Sequence, residues 1–312
     1  MKIGIPRALL YFWYGRMWEE FWLHSGCEVK ISPPTTHQIM NAGIELAVDE
    51  LCLPIKIFLG HVIALATQVD WIMIPHLIQV QKNAFICPKF MGLPDIVSHA
   101  IPSIRQKLLI VRVGSHHLDM VDCLCESSQD LGLIPGNLRN LKDDFLKMMY
   151  QPALAMIKKY QPQEFPQNFS KLRIGLLGHP YCLYDACLNL DLLHVLAHEG
   201  VYFYTPEMIP KNYQGIGSGK LPKELFWTTG KMQFDALEWL VTQSESPIDG
   251  FIHIAPFACG PEAIVGDMIG RRIQKSNKPF LMLNYEEQSG EAGVITRLEA
   301  FTDLIKYQHI AC

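Results

Sequence analysis

Short β-branched, apolar runs alternate along the chain with longer stretches of helical period, the pattern of an α/β protein with largely parallel sheets. Strands are predicted at residues 2–5, 28–31, 71–75 and 108–113, and again at 172–177, 201–204, 250–255 and 279–283. A polar, proline-containing stretch at 161–170 separates the two sets and predicts domains at 1–165 and 166–312. The halves share an order of parts. KIGIPRALLYFWYG leads through a helix to HSGCEVKISPP, and RIGLLGHPYCLYD leads through a helix to HEGVYFYTPE. In each, a strand ends near a proline, an aromatic helix follows and a glycine turn feeds a second strand. Two Rossmann-like lobes on either side of a cleft are expected, with ligands at the carboxyl ends of the strands.

With 312 residues, 49% hydrophobic and 19% charged, the chain has enough apolar material for two domains with buried cores. A net charge of −4 with no basic cluster argues against nucleic-acid binding. Lys56, His61, Asp70 and His76 interrupt the apolar stretches, so no membrane span is expected. Arg7 and Arg16 break the first apolar run and no small-residue cleavage site follows, which predicts a cytoplasmic protein.

Nine cysteines then need a chemical reason, because disulfides are disfavoured in that compartment. Three stand beside or just before proline or glycine: Cys52 in DELCLPIK, Cys87 in ICPKFMGLPD and Cys259 in FACGPE. Such bends expose backbone amides, which stabilise thiolates and sulfides. Thiolates gathered from distant segments are what an iron–sulfur cluster needs, whereas structural zinc usually shows close CxxC pairs, absent here. Spacing alone leaves ligation and simple burial as open alternatives. Cys52 is expected near a helix end, since Pro54 disrupts any helix that precedes it. The pairs Cys123/Cys125 and Cys182/Cys187 are candidates for a second cluster or a fourth ligand, with burial the blander reading. Cys27 and Cys312 receive no role.

Other phrases suggest less. GIGSGK at 215–220 fails as a phosphate loop, because Gln214 replaces the first glycine and Leu221 the magnesium-binding hydroxyl. It reads as a flexible loop. His61, His179 and His253 border the expected cleft and are candidates for protonating a substrate or hydrogen-bonding a sulfide, against the blander reading of core histidines. Tyr11, Tyr14, Trp18, Phe21 and Trp22 fall at helical spacing, as core or subunit interface. Glu286, Glu287, Glu291 and Arg297 follow a strand end, either as a solvated helix start or as groups gripping the cluster loops.

Taken together, IGIPRALLYF, SPPT, AVDELCLPIK, GHV, VDWIMIP, ICPKFMGLPD, GHPYCLYD, CGPE and SGEAGVITRLEAF resemble the activase-related proteins of the 2-hydroxyacyl-CoA dehydratase and benzoyl-CoA reductase superfamily. Coverage is poorest at 114–168 and 211–246. The resemblance implies two Rossmann-like domains, an anaerobic setting and a [4Fe–4S] cluster on Cys52, Cys87 and Cys259, with one iron left open. It also implies an ATP-dependent activator or other low-potential donor as partner, and a homodimer or paralogous heterodimer. The expected function is low-potential electron transfer, small-molecule reduction or acyl-CoA dehydratase-type chemistry. The alternatives are a double-cubane [8Fe–9S] reductase and a non-catalytic scaffold for cluster delivery or complex assembly. YEEQSGEAG and CGPEA depart from the more frequent DEHTGEAG and CGPDS of the relatives, which leaves the roles of those side chains open.

Overall fold

The computed structural model describes the chain apart from residues 115–118, 134–137, 162–171, 243–247 and 312. The chain divides into two compact units, Met1–Ala153 with Phe226–Thr228, and Leu154–Leu225 with Thr229–Cys312. Most of the polar stretch expected as a boundary lies outside the described residues.

In the first unit, strands β1 (Lys2–Ile5), β2 (Glu28–Ile31), β3 (Trp71–Leu77) and a later strand, Leu108–Val113, form a parallel sheet. Between the last two the chain makes an antiparallel ribbon of β4 (Gln79–Gln81) and β5 (Ala84–Phe85), which the sequence pattern does not predict. Phe85 N donates to Phe226 O, which explains why Phe226–Thr228 groups with this unit. Numbering Leu108–Val113 as β6, the sheet order is β2-β1-β3-β6. In the second unit β7 (Arg173–Gly178), β8 (Tyr202–Tyr204), β9 (Gly250–Pro256) and β10 (Phe280–Tyr285) form a parallel sheet ordered β10-β9-β7-β8. Counted within its own unit, each sheet reads 2-1-3-4. The resemblance between the two halves of the sequence is therefore a repeated topology. Its switch points lie between β1 and β3 and between β7 and β9, where doubly wound sheets bind ligands.

Burial follows from that order. β7 and β9, central in their sheet, are buried at every residue, whereas the edge strand β2 has no fully buried residue. Strands covered on both faces are continuously apolar. Helix α1 (Tyr11–His24) sends its aromatic side chains into the first unit: Phe21 packs on Phe145, Trp13 on Tyr150, and Trp22 Nε1 donates to Met73 Sδ over 3.4 Å. Trp13, Trp18, Phe21 and Trp22 are each no more than 2% exposed, so this helix is core and offers no broad apolar face to a partner.

Helices α2 (His37–Leu46) and α3 (Leu53–Leu65) cross at glycines. A Cβ on Gly43 would lie 1.8 Å from Lys56 O, and one on Gly60 would lie 1.9 Å from Ile39 O. The two backbones touch directly, and no other residue fits at either position.

Candidate functional site

Each of the three turn cysteines occupies the same local structure. Cys52 is the N-cap of α3, at φ −69° and ψ 149°, with Pro54 in the first turn. Cys87 caps the short helix α4 (Pro88–Met91) at φ −65° and ψ 154°. After α5 (Leu93–Ala100) and α6 (Met120–Asp130) in the first unit, and α7 (Pro180–Tyr184), α8 (Leu192–His198) and α9 (Thr228–Thr242) further on, Cys259 caps α10 (Gly260–Gln274) at φ −89° and ψ 103°. Proline suits the first turn because the amide it lacks has no intrahelical partner there. None of the three thiols makes a side-chain cap bond. Cys52 does lie at a helix end, but at the start of one and not where Pro54 stops another: α2 has already ended at Leu46, and Pro54 belongs to the first turn of the next helix.

Within the first unit the segments carrying Cys52 and Cys87 are tied together. Lys89, in the helix capped by Cys87, donates from Nζ to Glu50 O over 2.9 Å, and Lys56 Nζ reaches Asp49 O over 3.2 Å. The loop entering Cys52 is thus held from both α3 and α4. His61 is fully buried, with Ser32 Oγ 2.8 Å from Nδ1 and Thr35 Oγ1 2.9 Å from Nε2. Ser32 Oγ also accepts the Arg7 amide at 2.7 Å. Burial, assisted by Arg7, pushes the His61 pKa down to about 3, and the ring is a neutral bridge between hydroxyls.

In the second unit, the carboxyl edge of the sheet gathers a polar cluster. β7 leads directly to His179, and β9 leads through Ala258 to Cys259. Ala258 sits in the left-handed region at φ 61°, a strained turn for a residue with a Cβ. His179 Nε2 is 3.6 Å from Cys259 Sγ and 2.7 Å from Glu262 Oε2. Glu262 Oε1 accepts His253 Nε2 at 2.6 Å, and Gln233 Nε2 donates to Oε2 at 3.2 Å. Glu262 is 1% exposed, His253 0% and His179 4%. Gly266 leaves room for the second histidine, since a Cβ there would lie 2.7 Å from His253 Cε1.

Burial opposes charge on His179. The Glu262 carboxylate outweighs it, aided by the hydrogen-bonding contacts of the ring with Cys259 and Glu262, and holds the imidazole pKa well above its usual value. Burial likewise opposes charge on Glu262, and His179 and His253 together hold its carboxyl far below the usual range. His179 Nδ1, His253 Nδ1 and Gln233 Oε1 are buried and have no hydrogen-bond partner among the described residues. One ring nitrogen of His179 serves both sulfur and carboxylate. A nucleophile triad would use the two nitrogens separately, one on the nucleophile and one on the carboxylate, and this arrangement does not.

The remaining cysteines fall elsewhere. Cys123 and Cys125 are buried on α6, two positions apart and so on different faces. Burial, with Glu126, Asp119 and Asp122, pushes the Cys123 thiol up to about 11. Cys182 lies buried in α7, and Cys187 in the turn after it, raised to about 11 by burial and by Asp185. Among the described residues, no group of three or more His, Cys, Asp and Glu side chains is drawn together as a metal site.

Of two further sequence readings, one changes and one is narrowed. The loop at 215–220 is held and not slack: Asp235 Oδ2 accepts Gly215 N at 2.7 Å and Oδ1 accepts Ser218 N at 2.6 Å. These amides already have a carboxylate, so no phosphate cradle is present. Glu286 and Glu291 are exposed at the start of the last helix, Glu291–Ala311, and Arg297 Nη2 bonds Met282 O, which favours the solvated helix start. Glu262 itself was not singled out by sequence reasoning. Its only sequence signal is a carboxylate three residues into a helix whose neighbouring turns are apolar.

The family model described as a CoA enzyme activase uncharacterised domain matches residues 2–209. No curated protein matches the chain. Two solved structures are similar at low level. The SBP FpvC from Pseudomonas aeruginosa in complex with Mn2+ shares 11% identity over 100% of this chain and 99% of its own, at a TM-score of 0.25. Tagatose-6-phosphate ketose/aldose isomerase from Escherichia coli shares 12% over 97% and 79%, at 0.22. At such scores neither bears on function. No helix of the described residues is long and apolar enough to cross a membrane.

Proposed function

We propose, since the chain belongs to the family of the CoA enzyme activase uncharacterised domain, that it is an iron–sulfur redox protein of an acyl-CoA dehydratase-type system. In this reading Cys52, Cys87 and Cys259 together hold one [4Fe–4S] cluster. The observation that carries it is the shared local structure of the three: each is an N-cap with extended backbone and proline in the first turn. First-turn amides and the positive end of a helix favour thiolate and sulfide charge. The residues also fit such a group on a second count. His179 Nε2 lies 3.6 Å from Cys259 Sγ, and the buried Nδ1 of the same ring has no hydrogen-bond partner among the described residues, which leaves a polar group for a bound ligand to meet. When bound, the cluster supplies one-electron transfer at low potential. The chain's own part is to hold it, exclude water and set its potential through amides, hydrogen bonds and burial. The electron donor in this reading is an ATP-driven activator partner.

Anaerobic purification with iron and sulfide analysis tests the proposal. About four iron atoms per chain, lost on Cys259→Ala, supports one cubane. About eight, lost also on Cys182→Ala, supports the larger [8Fe–9S] assembly instead. A protein without iron or visible absorption that still forms a stable partner complex defeats the redox reading in favour of a scaffold.

A further inference from the structure

The carboxyl edge of the first sheet holds a cation that its own unit does not neutralise. Arg7 follows β1 and Pro6, at the switch between β1 and β3. It is half-buried, yet among the described residues its guanidinium meets no carboxylate and no carbonyl; it lies over the Tyr11 ring, 5.9 Å from the centroid. Four exposed arginines do find acceptors: Arg16 has Glu19 and Glu20, Arg105 has Ser98 O, Arg271 has Asp267 and Arg297 has Met282 O. Water can serve an exposed guanidinium, whereas a half-buried one without an acceptor is costly. The polar groups around Arg7 are already paired and carry no negative charge. Its amide donates to Ser32 Oγ, and from there Ser32, His61 and Thr35 satisfy one another in a row. The first turn of α1 has no acidic residue, and its N-cap Leu10 makes no side-chain cap bond. The turn between Arg7 and α1 is rigid: Leu9 is 1% exposed and held at φ 54°, a conformation that packing must impose.

We propose that Arg7 is an anion-binding residue, which takes a carboxylate or phosphate group of a small molecule at the switch point of the first sheet. A guanidinium offers two parallel N–H donors in a fixed fork, and both oxyanions match it. Doubly wound sheets bind their ligands past the carboxyl ends of the strands at such a switch, which is where the unanswered charge of Arg7 stands. Tyr11 covers the guanidinium on one side and helps to fix the plane of the fork. The bound anion supplies the counter-charge that neither the Ser32–His61–Thr35 row nor the start of α1 provides. This site needs no metal and stands whether or not a cluster is present.

The test is thermal melting of the full chain, titrated with inorganic phosphate or with acetate at an ionic strength held constant with sodium chloride. The unaltered protein, Arg7→Gln, Arg7→Lys and Arg112→Gln are compared. Arg112 is an exposed arginine of the same unit and controls for general anion effects. The melting temperature of the unaltered protein and of Arg112→Gln should rise with one of the two anions along a saturable curve. Arg7→Gln should need about tenfold more anion or more for the same rise, since a charge-assisted pair is lost. Arg7→Lys keeps the charge without the fork and should fall between them; it decides the matter if the glutamine variant does not fold. Phosphate acting at lower concentration than acetate marks a phosphate ligand, and the reverse order a carboxylate. Melting curves that respond alike in the unaltered protein and in both Arg7 variants overturn the proposal, because the anion then acts elsewhere. So does the absence of a saturable response to either anion in the unaltered protein.

Discussion

Replacing Glu262 by glutamine should strongly destabilise the second unit. The carboxylate accepts His179 at 2.7 Å, His253 at 2.6 Å and Gln233 at 3.2 Å, and is 1% exposed. Glutamine keeps one acceptor oxygen but turns an NH₂ towards N–H donors that have nowhere else to go. Removing one partner of a buried ion pair costs about 3–5 kcal/mol. For a cooperative unit of about 150 residues that corresponds to a fall of roughly 6–20 °C in its melting transition. The pH dependence follows from the two directions of shift. The pKa of Glu262 is depressed, so its stabilisation is present above the unfolded carboxyl value of 4.5 and is lost as pH falls through the folded value. The pKa of His179 is raised, so its stabilisation is complete below 6.5 and is lost as pH rises through the folded value. The gap between parent and variant should therefore be widest between pH 4.5 and 6.5, the two reference values. Differential scanning calorimetry of the metal-free protein at pH 5.5 reads it directly. A variant melting within about 2 °C of its parent there would refute the reasoning.

Two other perturbations probe separate parts of the chain. Below pH 6.5 the unfolded state binds a proton that native His61 refuses until about pH 3, so the first unit should lose up to about 1.4 kcal/mol per pH unit over that range. His61→Gln should flatten this slope in urea titrations, and an unchanged slope assigns it to other groups. Asp235→Ala releases the amides of Gly215 and Ser218, so limited trypsin digestion should cut after Lys220 roughly 10- to 150-fold faster, for a loss of about 1.5–3 kcal/mol of charge-assisted bonding. Equal digestion rates would mean that the loop is held by other contacts.

The strands and their doubling could be read from the sequence because parallel sheets write themselves as short apolar runs at intervals. The β4–β5 ribbon escaped because three polar-flanked residues carry too little pattern, and its partner at Phe226 and Trp227 lies far along the chain. Pro54 reads as the stop of a helix before Cys52 and is instead in the first turn of the one after it, since proline stops one helix and starts another with the same letters. The cysteines and His179 stood out by residue type, and their local backbone is what the prolines suggested. The hub of the cluster in the second unit did not stand out. Glu262 is near Cys259 in sequence, but its partners His179, Gln233 and His253 come from three other elements, which only the strand order β7–β9 and the neighbouring helices bring together. The loop at 215–220 looked slack for a similar reason: the carboxylate that fastens it is Asp235, one helix later.

The glycine crossing of α2 and α3 has a mechanical consequence for Cys52. Where main chain rests on main chain, at Gly43 and Gly60, there are no side chains to slide or change rotamer and absorb a displacement. The helix that begins at Cys52 is pinned two turns from that sulfur, so a push on the thiol is passed to α2 as a tilt of the joined pair. A ligand gained or lost at Cys52 would thus be felt on α2 where the helices touch, at Ile39 and Gly43.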